Sequence, residues 1–259
     1  MNLKSRLKSM LKVDFRRMLT TPLFYIMVGS SLVMPVLILV MTTLMDGTVT
    51  VDPNTGVETV IEGFDNAWQI IASRSDANMM EMGLTTMVNM NLLYFMVAVF
   101  VCIFVAEDFR SGYAKNLFTV RAKKSDYVIS KTLASITCGM LMIIVFFIGT
   151  VLGGKISGLP FALDGISVGN LIMCMLSKLF LVAVFVPIFL VMSVIGKQKL
   201  WLSLIIAMGA SMLIFTMIPM ISPLDATTMN VILSLAGGML FSVGIGLIST
   251  IILNKTSLV

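Results

Sequence analysis

Few side chains in this chain have the types and spacing that catalysis or metal binding requires. The 259 residues include no histidine, which excludes Ser-His or Cys-His catalysis, His-ligated zinc and a histidine proton relay. No G-x-x-x-x-G-K-[ST] sequence is present to hold the phosphates of a nucleotide. The apolar stretches contain no paired carboxylates, which argues against a proton-coupled mechanism. We therefore predict that the chain is not an enzyme, has no catalytic residue and carries no cofactor or metal of its own.

Sulfur offers one remaining chemistry. Thioethers bind copper(I), and the 24 methionines include clusters at 79–82, 87–90 and 173–175. Methionine is also a flexible filler of apolar cores, and here it is spread through all the apolar stretches. Copper binding and core packing are the two alternatives, and we favour packing. The three cysteines lie in apolar stretches without a C-x-x-C pair, so we interpret them as packing residues as well.

One lysine stands alone in an apolar stretch. Lys178 is the only charged residue between 165 and 196. A charge inside the bilayer is costly unless it faces a cavity or a polar partner, so Lys178 is a candidate intramembrane polar site. The alternative is that residues 166–177 lie along the outer interface and the Lys178 ammonium extends to the headgroups. We favour the second interpretation.

The most informative polar segment is 107–131, which lies between two apolar stretches. It begins with the carboxylates of Glu107 and Asp108 and ends with Lys131. Ser125-Asp126 offers an N-cap for a helix that leads into the next apolar stretch.

A short helix is predicted in the middle of segment 107–131. Helical spacing would place on one side Tyr113, Leu117, Phe118 and Arg121. Such a helix, apolar on one edge and charged on the other, is suited to a groove in a partner protein. The alternative is a basic loop that binds lipid headgroups.

Six apolar stretches must position these residues. The chain is 58% hydrophobic with a mean hydropathy of +1.03, which is typical of a membrane protein. Each stretch has about the 20 residues that a span needs. The predicted spans are Leu23–Met45, Leu84–Ala106, Leu133–Gly153, Leu176–Gly196, Leu200–Ile221 and Met229–Leu253. The prolines inside spans 1, 4 and 5 predict kinks there, and the glycines of span 6 permit close helix packing.

The basic residues fix the orientation of these spans. With the N-terminus in the cytoplasm, fifteen of the eighteen Lys and Arg residues lie on the cytoplasmic side. Only Arg74, Lys155 and Lys178 remain for the outer side or the bilayer. The bias follows the positive-inside rule and predicts that both termini are cytoplasmic. Because the cations flank spans, the net charge of +5 favours anionic lipids rather than nucleic acid as partners.

Two segments outside the spans have patterns of their own. Residues 1–22 have apolar side chains at helical spacing with cations between them, which predicts an amphipathic helix on the inner membrane surface. In the acidic outer loop 46–83, alternation at 48–52 and 57–61 around a turn predicts a β-hairpin, followed by a short helix from Asp65. The acidity could attract a cationic substrate, although outer loops commonly lack cations.

Segment 107–131 resembles the permeases of type-2 ABC exporters. In that family an acidic residue followed by x-x-x-Gly-Thr/Tyr begins a coupling helix, and a Ser-Arg…Lys pattern precedes span 3. Glu107 and Asp108 occupy the acidic positions, Gly112-Tyr113 the glycine pair and Lys131 the closing lysine. The usual Pro-x-Ser-Arg is replaced by Val-Arg-Ala-Lys-Lys-Ser at 120–125. The amphipathic N-terminus, six spans, large first outer loop and cytoplasmic C-terminus also resemble the family.

The resemblance implies that the chain works as a dimer with an identical or paralogous copy. It also implies two separate ATPase subunits, which hold ATP and Mg²⁺ and act on spans 1, 2 and 5 through the coupling helix. The ATPase-coupling residues would be Glu107, Asp108, Arg110, Gly112, Tyr113, Lys115, Phe118 and Arg121. Glu107, Asp108 and Arg110 would make charge contacts, and Tyr113 and Phe118 would be packing anchors.

The sequence thus predicts an all-α integral membrane protein with six transmembrane helices. Residues 1–22 form an interfacial helix, and residues 23–259 form the transmembrane domain with a small outer α/β loop. The predicted function is that of a plasma-membrane permease subunit that exports an amphipathic peptide, drug or lipid-like substrate. A secondary transporter or channel and a non-transporting scaffold or immunity protein are the alternatives.

Overall fold

The computed structural model describes residues 3–51, 58–74, 88–119, 123–163, 165–196, 199–215 and 217–255. The helices are α1 (Leu3–Thr20), α2 (Pro22–Met45), α3 (Leu93–Arg110), α4 (Tyr113–Thr119), α5 (Lys124–Ser157), α6 (Val168–Gly196), α7 (Leu200–Phe215), α8 (Ile218–Ile221) and α9 (Thr228–Lys255). Two 3-10 helices, Ala67–Ile70 and Met90–Leu92, precede α3. The strands β1 (Val49–Val51) and β2 (Glu58–Val60) follow α2.

Five of the described helices are long and apolar enough to cross a membrane, which shows a multi-pass membrane protein. They are α2, α3 with its preceding 3-10 turn, α5, α6 and α9. The predicted fifth span, Leu200–Ile221, is divided into α7 and the four-residue α8. Pro219 lies at the start of α8, where its missing N–H costs no helical hydrogen bond. By itself α7 has 16 residues and is shorter than the other apolar helices.

The helix boundaries differ from the predicted spans at several points. Within the predicted second span, α3 begins at Leu93, because Asn89 caps a 3-10 turn before it. Residues 75–87, including the methionines at 79–82 and 87, lie outside the described residues. The third span extends to Lys124–Ser157. Its N-cap is Lys123 rather than the predicted Ser125-Asp126, and no side chain caps it. Pro35 and Pro187 lie inside helices that continue past them.

The segment after α2, which was predicted to be the outer loop, is joined to the helix bundle. β1 pairs antiparallel with β2, with Val49 opposite Val60, inside the two stretches predicted to form a hairpin. The Trp68 indole N–H donates to the Phe161 carbonyl at 3.2 Å, and its ring stacks on Phe147 at 5.6 Å. Because its ring is packed and its N–H is hydrogen-bonded, Trp68 anchors this segment to the helix bundle.

Close helix packing occurs chiefly where glycines face a neighbour. α5 approaches α2 through Gly149 and Gly153, a small-xxx-small pair of the kind that lets membrane helices meet. A Cβ at Gly149 would lie 2.4 Å from the Leu32 carbonyl oxygen, which cannot move without shifting α2. In α9, Gly238 packs against Ala183 of α6, whereas Gly246 has open space beside it. α6 is the central helix, with the most buried span of the described helices.

A leucine at Gly149 is expected to force α2 away from α5 and to destabilise the protein by about 1–3 kcal/mol or more, because the added side chain meets backbone atoms. The measurement is the midpoint of thermal unfolding in detergent. Gly244→Leu in α9 is the matched control, since a Cβ at Gly244 meets no atom within 4 Å. Equal midpoints for the two variants would contradict the packing described here.

Candidate functional site

The segment between α3 and α5 contains a short helix whose direction is set by one glycine. α3 ends at Arg110, Gly112 turns the chain, and α4 starts at Tyr113. Gly112 has φ +72°, a left-handed conformation that costs other L residues about 1–2 kcal/mol. A Cβ there would meet no atom within 4 Å, so the requirement for glycine is conformational and not steric. Gly112 therefore fixes how α4 leaves α3.

A buried cation joins α5 to the two neighbouring segments. Lys131 of α5 is fully buried, and its ammonium lies 3.0 Å from Asp14 Oδ1 in α1 and 2.8 Å from Asp108 Oδ2 at the end of α3. Both carboxylates are also buried, at 1% and 0% exposure. The Lys131 ammonium also lies 3.6 Å from the centre of the Phe104 ring. One charge thus links three helices away from solvent.

A second cation completes the charge balance of this cluster. The Arg17 guanidinium donates to Asp108 Oδ1 at 2.5 Å and lies 4.2 Å from the centre of the Tyr113 ring. The Tyr127 hydroxyl donates to Asp108 Oδ2 at 2.9 Å, and the Ser130 hydroxyl donates to the other oxygen of Asp14. The negative charges of the two carboxylates are therefore balanced by the two cations. We call Asp14, Arg17, Asp108 and Lys131 the ion cluster.

The ion cluster also affects the first residue of α4. Burial, together with the negative charges of Asp14 and Asp108, raises the pKa of the Tyr113 phenol above its ordinary value. The phenol is therefore neutral at physiological pH, and its ring can stack on the Arg17 guanidinium. The ring of Phe118, one turn further along α4, packs edge-on against Tyr127 at 5.4 Å. Both ends of α4 are thus held against α1 and α5.

The predicted coupling residues separate into an exposed and an internal group. Glu107, Arg110 and Lys115 are exposed, and so are three polar residues among them, Ser111, Asn116 and Thr119. The Asp108 carboxylate has no exposed surface, so the structure assigns it to the ion cluster and not to an external charge contact. Half-buried Tyr113 and Phe118 pack within the chain. Arg121 lies outside the described residues.

The sequence analysis did not identify Asp14. Its pattern was present: Met10, Asp14 and Met18 recur every four residues and form the buried stripe of α1, so the acid stands where an apolar residue is expected. An acid in the apolar stripe of a basic helix indicates a buried cationic partner. Asp14 and Asp108 also lie on either side of one lysine as a pair of carboxylates. A search for paired carboxylates within single apolar stretches could not find them, because the two residues come from separate segments.

Lys178 lies in the interior, which makes the snorkelling interpretation wrong. It has 0% exposure, and its ammonium donates to Asn91 Oδ1 at 2.7 Å and to Ser222 Oγ at 3.3 Å. The Tyr94 hydroxyl donates to the Lys178 carbonyl at 2.9 Å. Among the described residues no salt bridge to Lys178 is formed. Its partners come from two other segments, so Lys178 joins α6 to the 3-10 turn before α3 and to the end of α8.

The described part of the chain contains no group of three or more Cys, Asp or Glu side chains arranged to hold a metal ion. The three cysteines are free and buried. The site is therefore best described as an exposed polar helix, α4, mounted on a buried ion cluster.

Comparison with known proteins gives one match. The model of a family described as "ABC-2 family transporter protein" matches residues 11–216, well over half of the chain. The match includes most of α1, the ion cluster and α4. No curated protein and no solved structure matches the chain.

Proposed function

The chain belongs to the ABC-2 family of transporter proteins, and from this membership we propose that it is the permease subunit of an ATP-driven exporter. The observation that carries the proposal is the mounting of α4, which has polar side chains exposed on one side and the ion cluster on the other. ATP and Mg²⁺ would bind to separate ATPase subunits. This chain would supply the path across the membrane.

The proposed contact surface consists of Glu107, Arg110 and Lys115, with polar neighbours between them. Charges of both signs on an exposed surface favour a partner with a complementary pattern and reject wrong partners. Gly112 orients this surface, and Tyr113 and Phe118 hold it in place from within. With Asp108 in the ion cluster, each predicted coupling residue that the structure describes has a proposed role.

The ion cluster is the proposed mechanical link. Separating a buried charge from its partner costs about 3–5 kcal/mol, so α1, α3 and α5 should move as a unit when α4 is displaced. α1 continues into α2 across the single residue Thr21, and α7 packs against α3. Closure of ATP-bound partner subunits would therefore reach α2, α3 and α7. The chain would behave as a two-state element biased by a ligand bound elsewhere.

The open groove beside α2 supports the proposal that the substrate is amphipathic. It has a volume of about 690 Å³ and is lined by α2 and the start of α3. Its walls are apolar except for a few groups such as the Tyr25 and Ser30 hydroxyls. We propose that a second, identical or paralogous chain packs on this face and closes the groove. The measured mass of the intact complex should then correspond to two such chains and two ATPase subunits.

We also propose a plasma-membrane location with six spans and both termini in the cytoplasm. α7 and α8 together would form the fifth span, which brings the C-terminus to the same side as α1. The exposed cations Arg110 and Lys115 would then lie on the side where ATP is available, as the positive-inside bias of the sequence requires.

The test is co-purification with a candidate ATPase subunit in mild detergent. The variant Glu107→Arg/Lys115→Glu reverses two exposed charges and should abolish a stable complex, because each contact would become repulsive. Glu62→Arg makes the same kind of change at an exposed residue of the outer segment and should leave the complex intact. If the wild-type chain retains no ATPase, the secondary-transporter and scaffold hypotheses replace the exporter.

A further inference from the structure

We propose that the groove between α5 and α9 binds one anionic phospholipid from the cytoplasmic leaflet. One of its two acyl chains would lie along the groove, and its phosphate would contact Lys123 and Lys255. The proposal takes from the proposed function only the cytoplasmic placement of this end of the bundle, and it does not involve the ATPase.

The length of the groove fits one leaflet. It has a volume of about 320 Å³ and is lined along α5 from Ser125 to Ile136 and along α9 from Ser242 to Thr250. The eleven steps from Ser125 to Ile136 at a rise of ~1.5 Å per residue give about 17 Å. Half of a ~30 Å hydrocarbon core is about 15 Å. The groove therefore runs from the helix ends to about the middle of the bilayer.

The walls of the groove suit a hydrocarbon chain. Val128, Leu133 and Leu247 are among the apolar side chains that line it. The hydroxyl of Thr132 donates to the Val128 carbonyl at 2.8 Å, and the hydroxyl of Thr250 donates to the Gly246 carbonyl at 2.9 Å. Because these hydroxyls are satisfied within their own helices, they require no water or polar ligand in the groove.

The cytoplasmic end of the groove is basic. The Lys124 ammonium donates to the Leu253 carbonyl at 2.6 Å and thereby joins α5 to α9 at this end. Lys123 directly precedes Lys124 and Lys255 follows Leu253 by two residues, and both lysines are exposed. The nearby carboxylate of Asp126 is buried and paired with Arg6 at 3.3 Å. Exposed cations beside an apolar groove match a phosphate joined to an acyl chain.

One glycine leaves the groove open. Gly246 lines it, and a Cβ built there would meet no atom within 4 Å. Gly244, two residues earlier in α9, also has open space but does not line the groove. The pair provides matched positions: a leucine at Gly246 fills the groove, whereas a leucine at Gly244 adds the same side chain outside it.

The test is native mass spectrometry of the full chain, purified in detergent and titrated with phosphatidylglycerol or with phosphatidylcholine of the same acyl chains. The wild type should bind phosphatidylglycerol at least about fivefold more tightly, since one lysine near a phosphate contributes about that factor. Lys123→Gln/Lys255→Gln should remove this preference. Gly246→Leu should weaken binding of both lipids about tenfold or more, and Gly244→Leu should not.

Three outcomes would overturn the proposal. The first is equal binding of the two lipids by the wild type, and the second is equal weakening of lipid binding by the two glycine variants. The third is that Gly246→Leu loses a dimer of the chain while lipid binding is unchanged, which would assign the groove to a second copy. The lysine variant changes only exposed side chains, so its result is informative even if Gly246→Leu lowers the yield. Lipid binding without ATPase binding would leave the proposal intact and remove only the exporter hypothesis.

Discussion

Replacement of Lys131 by methionine is expected to destabilise the protein by about 3–5 kcal/mol, because it leaves two buried carboxylates without their shared cation. The effect should lower the midpoint of thermal unfolding in detergent by on the order of 10 °C. Lys155→Met is the matched control. Lys155 is an exposed residue in the last turn of the same helix, so its replacement should leave the midpoint nearly unchanged.

A second substitution should recover part of this loss, and the structure indicates which one. Without Lys131, Asp108 keeps the Arg17 guanidinium and the Tyr127 hydroxyl as partners. Among the described residues, Asp14 keeps only the Ser130 hydroxyl. Asp14→Asn should therefore stabilise Lys131→Met more than Asp108→Asn does. An unchanged midpoint in Lys131→Met, or a stronger rescue by Asp108→Asn, would show that the ion cluster is arranged differently.

Replacement of Arg17 by glutamine is expected to separate ATPase binding from coupling. Arg17 bonds Asp108 and stacks on Tyr113, but it is not part of the proposed contact surface. A hydrogen bond between charged groups contributes about 1.5–3 kcal/mol. Losing it should reduce permease-dependent stimulation of ATP hydrolysis at least about tenfold, since 1.4 kcal/mol corresponds to a factor of ten. The ATPase should still co-purify with the variant.

Arg16 provides the control for that experiment. It precedes Arg17 in α1 and is exposed, so Arg16→Gln removes the same charge without touching the ion cluster. Full stimulation is expected for Arg16→Gln. If Arg17→Gln stimulates ATP hydrolysis as well as the wild type does, the ion cluster is a stabilising feature only and does not transmit motion.

The sequence predicted the features that depend on local pattern. Long uncharged stretches locate α2, α5, α6 and α9, because a membrane helix must bury all its backbone polar groups and needs about 20 apolar residues to do so. The spacing of Tyr113, Leu117, Phe118 and Arg121 likewise predicted a short helix in the segment where α4 lies. Such patterns can be interpreted without knowing which helices pack against each other.

The ion cluster could not be predicted in the same way, because its members are far apart in the chain. Arg17 and Asp108 are 91 positions apart, and Asp14 is 116 positions from Ser130, the neighbour of Lys131 that donates to it. A carboxylate at the end of an apolar stretch has the same appearance whether it faces a partner protein or a buried lysine. Asp108 was therefore predicted to be an external contact, although its neighbour Glu107 is the one that is exposed.

Lys178 was misjudged for a related reason. An isolated lysine near a predicted span end is compatible with snorkelling as long as nothing shows that polar side chains approach it. Its partners Asn91 and Ser222 belong to two other segments, 87 and 44 positions away. Only the packing of α3 and α8 against α6 brings them together.

The most direct test of the exporter hypothesis is the labelling of Lys115→Cys with a membrane-impermeant maleimide. Lys115 is exposed on α4, and the three native cysteines are buried, so background labelling should be low. Labelling is expected in inside-out vesicles and not in right-side-out vesicles, and a bound ATPase subunit should prevent it. Glu62→Cys should show the opposite sidedness and no protection. Labelling of Lys115→Cys from the outer side, or labelling that the ATPase does not reduce, would contradict the assignment of α4 as the coupling surface.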